Sequence, residues 1–335
     1  MKREDEDTPR KYVFICGLQR SGTSVLARNV GRLEGCTSFK NTGVLQDEGQ
    51  YLQDVYPPDG AYGGTGWYGL DPRAHLTEQS PLLTPDNIER LMRSWHAHWD
   101  DAKPICVEKT PGNLIMTRFL QAAFPNTYFI VVKRHPVAVS MATQRWKVSL
   151  SSLHHLFKHW LRCYDLFEQD KAHLSRVFEL RYEDYISDPT TYHARIADFI
   201  GTRVPAEGME DVTDVHNKKY LARWEELLNV SRFRKYYRYV AARFEPEFAR
   251  HGYSLVSSAM FGGERQNIRA WHSPMGALYS LGADSSAFVC RAALRSQWFA
   301  KRQLRGCLPA RMKTTLKQIG MAGGNTAASQ GGHPR

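Results

Sequence analysis

The apolar run Tyr12–Cys16 (YVFIC) leads straight into Gly17-Leu-Gln-Arg-Ser-Gly-Thr-Ser24, and a helical stretch follows from about Thr23 to Leu33. Strand, glycine-bounded loop and helix in that order leave the chain few choices. The glycines let backbone wrap an anion, and the helix start offers unpartnered N–H groups and the positive end of the helix dipole. The loop is expected at the C-terminal end of a buried parallel strand, where α/β proteins bind ligands.

The same alternation continues downstream. Ile105–Glu108, Tyr128–Val132 and Val177–Leu180 read as further buried strands. Thr84 and Pro85 supply an N-cap and a first-turn proline for a helix whose apolar face is Ile88, Leu91, Met92, Trp95 and Trp99. Further helices are expected from about Gly112 to Phe124, from Pro136 and from near Pro189. The pattern predicts an α/β fold with a three-layer parallel sheet. Past Tyr253 the periodicity decays, until residues 287–305 read as a helix with Arg291, Arg295, Lys301, Arg302 and Arg305 on one side, Trp298 sharing their face. The closing Gly/Ala/Ser-rich stretch is expected to be disordered.

Apolar residues make up 42% of the 335 and charged residues 24%, which excludes a disordered or fibrous chain. The opening MKREDEDTPRK has no apolar h-region and no run of about 18 apolar residues occurs, so neither a secretory signal nor a membrane span is expected. Six scattered cysteines without a C-x-x-C pair argue against disulfides and zinc, and for a reducing, cytoplasmic setting. The net charge of +11 is uneven: residues 258–335 hold 11 Lys+Arg against 2 Asp+Glu, whereas residues 1–257 hold 34 against 32. The expected organisation is therefore a near-neutral body, 1–257, and a basic C-terminal extension, 258–335. The extension's charge suits an anionic membrane surface or a polyanionic glycan, and gives no reason to expect nucleic acid.

An ATP- or GTP-binding loop of this spacing needs a lysine where Thr23 stands, and a metal-binding Asp at the end of a neighbouring strand. Tyr128–Val132 runs instead into Lys133 and Arg134, and the loop's own cation is Arg20. A P-loop nucleotide kinase is thereby disfavoured; it and a non-catalytic binder of anionic nucleotides or polymers are the competing readings. His154, His155 and His159 read as exposed helix residues without an acidic partner, and no metal site is expected. Tyr62, Trp67 and Tyr68, in a Gly-rich segment, suit either stacking on sugar faces or capping a core.

From about Tyr12 to Tyr253 the chain resembles the sulfotransferases that use 3′-phosphoadenosine 5′-phosphosulfate (PAPS). The resemblance rests on four blocks in order: Gly17–Ser24; Glu108-Lys-Thr-Pro111; FPNTYFIVVKRHP from Phe124 to Pro136; and Tyr182-Glu-Asp followed by Asp188-Pro189. It implies that Arg20, Ser21, Gly22, Thr23 and Ser24 hold the 5′-phosphosulfate, that Arg134 holds the 3′-phosphate, and that Tyr182 sits near the adenine. The family's 3′-phosphate serine follows that arginine by about eight residues. Here Ser140 comes six after Arg134 and Thr143 nine after, with Ser140 favoured and Arg145 a possible second charge.

Sulfuryl transfer requires an acceptor hydroxyl to lose its proton, the sulfuryl oxygens to be accommodated and the leaving oxygen to meet a positive group. Arg20 and Lys109 fit the last two by charge, and the family's K-x-P lysine has the leaving-group role. Steroid and phenol sulfotransferases carry a histidine where Pro111 stands here. The tyrosyl-protein and heparan-type branch uses a glutamate after the first helix instead, which points to Glu48 in Val44–Gln50 as the base, with Asp47 as runner-up. The resemblance thus implies transfer from PAPS to a hydroxyl-bearing acceptor, and the carboxylate base with the aromatic segment points to a carbohydrate.

Overall fold

The structure is a computed structural model that describes residues 10–145, 151–212, 215–257 and 267–307. Five parallel strands, β1 (Lys11–Cys16), β2 (Cys36–Ser38), β3 (Ile105–Lys109), β4 (Thr127–Lys133) and β5 (Val177–Arg181), form one sheet in the order β2-β3-β1-β4-β5. Alternate residues of β1 enter different cores. Tyr12, Phe14 and Cys16 pack with Cys106, Phe129 and Val131, while Val13 and Ile15 pack with Val107, Ile130 and Val132 on the other face. Both faces being covered, the central strands β1 and β4 read as unbroken apolar runs.

α1 (Thr23–Val30), α6 (Tyr182–Ser187) and α7 (Pro189–Ile200) cover one face. The other is covered by α2 (Pro85–His96), α3 (Thr117–Ala123), α4 (Pro136–Gln144), α5 (Leu153–Lys171), α8 (Val215–Asn229) and α9 (Arg234–Arg250). The result is the expected three-layer α/β architecture. Register aligns Ile15 with both Lys109 and Ile130, so the loops after β1, β3 and β4 emerge along one edge of the sheet.

Three local expectations are corrected. α1 stops at Val30 and not near Leu33: Gly31 follows as its cap, lying against Ser38 with no room for a side chain, and residues 31–32 form a turn. The helix expected over 112–124 is a 3-10 turn, Pro111–Ile115, and a separate α3, broken at Met116. Asn113 donates to the buried Glu108 carboxylate, which holds the tighter turn. The histidines of α5 are not exposed surface groups. His159 is 3% exposed with its ring edge-on to Tyr68 at 4.8 Å, and burial lowers its pKa to about 3. His155 packs on Trp67 at 3.5 Å, and His154 pairs with Asp284. Among the described residues no cluster of His, Cys, Asp or Glu could hold a metal ion.

The C-terminal helix, α10 (Pro274–Cys307), begins well before the expected position 287. Its packed side is built from Gly276 against Tyr239, Ser280 beside His154, and Asp284 accepting from Ser152. That packed side is small and polar, so it carries no apolar stripe facing the body. The side chains of Arg291, Arg295, Trp298, Lys301, Arg302 and Arg305, and all of 308–335, lie outside the described residues. No helix among the described residues is long and apolar enough to cross a membrane.

Trp95 ties this framework to the loop before β3. Its ring, fully buried, stacks on Phe124 at 5.2 Å, and its indole N–H donates to the Gly49 carbonyl at 3.0 Å. Trp95→Ala should cost about 3–5 kcal/mol in urea unfolding, and Trp95→Phe distinctly less. Equal midpoints for wild type and Trp95→Ala would show that the ring anchors nothing.

Candidate active site

The loop after β1 needs its glycines for stated reasons. A Cβ on Gly17 (φ +151°) would sit 2.6 Å from the Val132 carbonyl oxygen. Gly22 (φ +93°) precedes α1, and a Cβ there would lie 2.3 Å from the Tyr182 ring. Arg20 itself takes a left-handed φ of 70°, which turns the loop so that its side chain is exposed at the mouth of a cleft. That cleft, about 240 Å³, is lined by Arg20, Gly22, Thr23, Ser24, Glu48 and Arg134, with Gln19, Gln46, Tyr51, Asp59 and Thr65 among its other walls. Ser21 is fully buried behind the wall, and its N–H is engaged by the Leu18 carbonyl.

Arg134, immediately after β4, is 6% exposed and held from three sides. It donates to the Arg20 carbonyl at 2.7 Å and to Asn217 Oδ1 at 2.8 Å, and its guanidinium lies over the Tyr182 ring at 4.4 Å. Asn217 donates in turn to Glu183, whose carboxylate also accepts from the His135 N–H and the Tyr253 hydroxyl. Lys133 points away and pairs with Glu168 and Glu179, so of the two basic residues ending β4 only Arg134 lines the cleft.

Glu48, on the opposite wall, forms a buried ion pair at 3.0 Å with Lys109, which lines an adjoining pocket that shares Ser24 and Gln46 with the cleft; the two are 7% and 8% exposed. Gln50 donates to the other Glu48 oxygen at 2.7 Å, and Lys109 also donates to the Gln46 carbonyl. Gln46 and Asp47 both have left-handed backbones, which swing Glu48 toward Lys109. The Asp47 carboxylate accepts from the N–H and hydroxyl of Thr42 and does not line this cleft. Glu108 points the other way, accepting from Gly49 N–H, Thr110 and Asn113, and burial pushes its pKa up.

Ser140 is 2% exposed, and its hydroxyl has no hydrogen-bond partner among the described residues. It borders a small cavity that shares Gln19 and Thr65 with the main cleft. Thr143, beside it, spends its hydroxyl on the Val139 carbonyl, and Arg145 is exposed at the end of α4. Of the aromatic segment, Trp67 and Tyr68 are buried core residues, so core capping describes them.

Sequence reasoning missed Asp59, Gln19 and Asn217. Asp59 follows two prolines and precedes a glycine, which reads as a solvated turn. It instead accepts from Gln19 at 2.9 Å and from the Tyr51 hydroxyl at 3.3 Å. Asn217 stands in no motif.

A sulfotransferase family model matches residues 12–206, more than half of the chain. The chain belongs to the sulfotransferase family. Among curated proteins nothing matches it. The sulfotransferase domain of the Synechococcus PCC 7002 olefin synthase is 18% identical, with 65% of this chain and 86% of that one covered and a TM-score of 0.40. The sulfotransferase domain from the curacin biosynthetic pathway is 14% identical, covering 74% and 99%, with a TM-score of 0.46. Retinol dehydratase, in a complex with androsterone and the inactive cofactor PAP, is 16% identical, covering 82% and 80%, with a TM-score of 0.31. The matched span of this sulfotransferase holds the glycine loop, Glu48, Lys109, Arg134 and Tyr182, and Asn217 lies beyond it.

Burial and the nearby Glu48 charge raise the Asp59 pKa from 3.8 to about 6. The native sulfotransferase therefore holds this proton more tightly than the unfolded chain, and stability should fall as pH rises between those values. Asp59→Asn should remove that component. Urea unfolding of both proteins across about pH 4–6 measures it, and parallel profiles would show that Asp59 does not titrate there.

Proposed function

We propose that this sulfotransferase takes its sulfuryl group from PAPS and delivers it to an acceptor hydroxyl. One observation carries the reading: a glycine loop, a buried arginine and a buried glutamate line one cleft, and that glutamate is paired with Lys109, which faces an adjoining pocket sharing Ser24 and Gln46 with the cleft. The residues fit the donor's two anionic ends. Gly22 and the start of α1 line the cleft, where the helix start offers N–H groups and a positive dipole end for the 5′-phosphosulfate, with Arg20, Thr23 and Ser24 beside it. Arg134, fixed by Asn217 and Tyr182, presents its charge to the 3′-phosphate, and Ser140 has an uncommitted hydroxyl where Thr143 does not. Tyr182 braces Arg134 and the loop.

PAPS supplies an activated sulfuryl group, and the protein's residues do the rest. Glu48 accepts the proton of the acceptor hydroxyl, as in a carboxylate-base branch, since Pro111 stands where a histidine base would be. Lys109 meets the charge that develops on the leaving oxygen. Because the two are paired, a proton arriving on Glu48 weakens its hold on Lys109 just when that ammonium is needed elsewhere. The polar walls contributed by Gln19, Gln46, Asp59 and Thr65 favour a polyhydroxylated acceptor such as a carbohydrate. The aromatic pair Trp67 and Tyr68 lends no support to that acceptor, being buried. Four buried free thiols, Cys16, Cys36, Cys106 and Cys163, suit a reducing compartment such as the cytoplasm.

Calorimetric titration with 3′-phosphoadenosine 5′-phosphate and with ATP–magnesium tests the donor; tighter binding of ATP–magnesium would sink the reading. Arg134→Ala should weaken the 3′-phosphorylated nucleotide much more than adenosine 5′-phosphosulfate, which lacks that phosphate. Equal weakening of both would make Arg134 a framework residue.

Glu48→Gln should lower turnover by about 10²–10⁴-fold with little change in nucleotide affinity. Lys109→Ala should also lower it, but only Glu48→Gln should be partly rescued by a nitrophenol, whose hydroxyl gives up its proton more easily. Leaving either charge buried alone costs about 3–5 kcal/mol, so the neutral pair Glu48→Gln/Lys109→Met should recover melting temperature without recovering turnover. A fully active Glu48→Gln would move the base to Asp59.

A further inference from the structure

Among the described residues, a second face of α10 is left uncovered. Met275, Leu278, Leu281, Phe288 and Val289 are between 44% and 70% exposed. At about 100° per residue they fall within one half of the helix, opposite Gly276, Ser280 and Asp284, which mark the packed side. The apolar surface continues off the helix. The exposed ring of Tyr279 meets Phe233 edge-on at 6.3 Å, and Phe233, at the turn between α8 and α9, is itself 44% exposed. Arg232, Arg234 and Lys235 surround it, all exposed, with the Arg232 guanidinium 4.8 Å from the ring centre.

Water-facing leucine and phenylalanine in a continuous patch mark a surface with a partner. The charge says which. From Ser285 to the end of the chain there are nine Lys+Arg and no Asp or Glu, and the α8–α9 turn adds three more cations. A polyanionic glycan would meet the arginines and lysines but would have no use for Leu281, Phe288 and Val289. A second copy packed face to face would set basic surface against basic surface. An anionic bilayer uses both features: the apolar side chains enter the headgroup boundary while the cations meet the lipid charge.

We propose that α10 and the α8–α9 turn form a surface that docks on an anionic lipid bilayer, α10 lying along it. α10 packs against the segment Asp59–Tyr62, which contributes Asp59 to the cleft wall, so docking holds the cleft beside the membrane. The docking is independent of the chemistry in the cleft.

Co-sedimentation of the full chain with vesicles tests this directly. The protein should pellet with equimolar phosphatidylcholine/phosphatidylserine vesicles and not with phosphatidylcholine alone, and rising salt should release it. Leu281→Glu/Phe288→Glu should weaken the binding by at least about tenfold, since two large side chains lose their apolar site. Arg232→Ala/Arg234→Ala/Lys235→Ala should weaken it and flatten its salt dependence. Melting temperature and nucleotide binding should be unchanged in both variants. Failure to pellet with the anionic vesicles, or undiminished pelleting of both variants, would overturn the proposal. So would a wild-type dimer that Leu281→Glu/Phe288→Glu converts to monomer without vesicle binding, or retention on heparin alone that this variant leaves intact.

Discussion

Two opposite charges taken out of water must find each other, and much of this structure is arranged so that Glu48 and Lys109 do. Either charge alone at that depth would carry a penalty of several kcal/mol, and their attraction offsets it only with good geometry and further hydrogen bonds. The chain supplies both. Lys109 is placed by the register of β3 against β1, and Glu48 by two consecutive left-handed residues that bend the preceding loop back to the sheet. Gln50 donates to the second Glu48 oxygen and the Gln46 carbonyl accepts from Lys109. The neighbouring Glu108 uses its own burial to pin the Gly49 N–H, and Trp95 pins the Gly49 carbonyl from the other side. A loop over fifty residues upstream of β3 is thus locked to its last strand residue.

A second network fixes the far wall. Arg134 does not stand alone at the end of β4: Asn217, Glu183, His135 and Tyr253 form a hydrogen-bonded chain behind it, while Tyr182 lies between the guanidinium and Gly22. The glycine is thereby explained twice, by its positive φ and by the ring against it. A buried network of this kind holds one orientation of the arginine, because any other would leave several buried polar atoms unpaired. It also joins α8 and the segment after α9 to the cleft, although the family match ends before either begins.

The cleft and the uncovered face of α10 show how differently two features announce themselves in a sequence. The glycine loop is local: strand, turn and helix run from Lys11 to Val30, and the same atoms that make the turn make the anion site. α10 is non-local. Its packing side is glycine, serine and aspartate, chosen by the small spaces and polar partners on α5 and α9, so its start could not be read from apolar spacing. The same substitution of polar pairing for apolar contact hid the partner of His154, which is Asp284 on a helix well over a hundred residues away.

The sequence by itself determined four of the five strands (the short edge strand β2 was not among them), the loop from Gly17 to Ser24 and the basic residues that end β3 and β4. These follow from hydrophobic periodicity and turn chemistry, which act over a few neighbouring residues. Tertiary structure decided which charges face one another. It turned Lys133 outward to Glu168 and Glu179 while Arg134 turned in, committed Asp47 to Thr42 while Glu48 met Lys109, and brought Asp59 from an apparent surface turn to the cleft wall. The reason is physical. A carboxylate's burial and its partners depend on which distant segment folds over it, and no local pattern of residues records that.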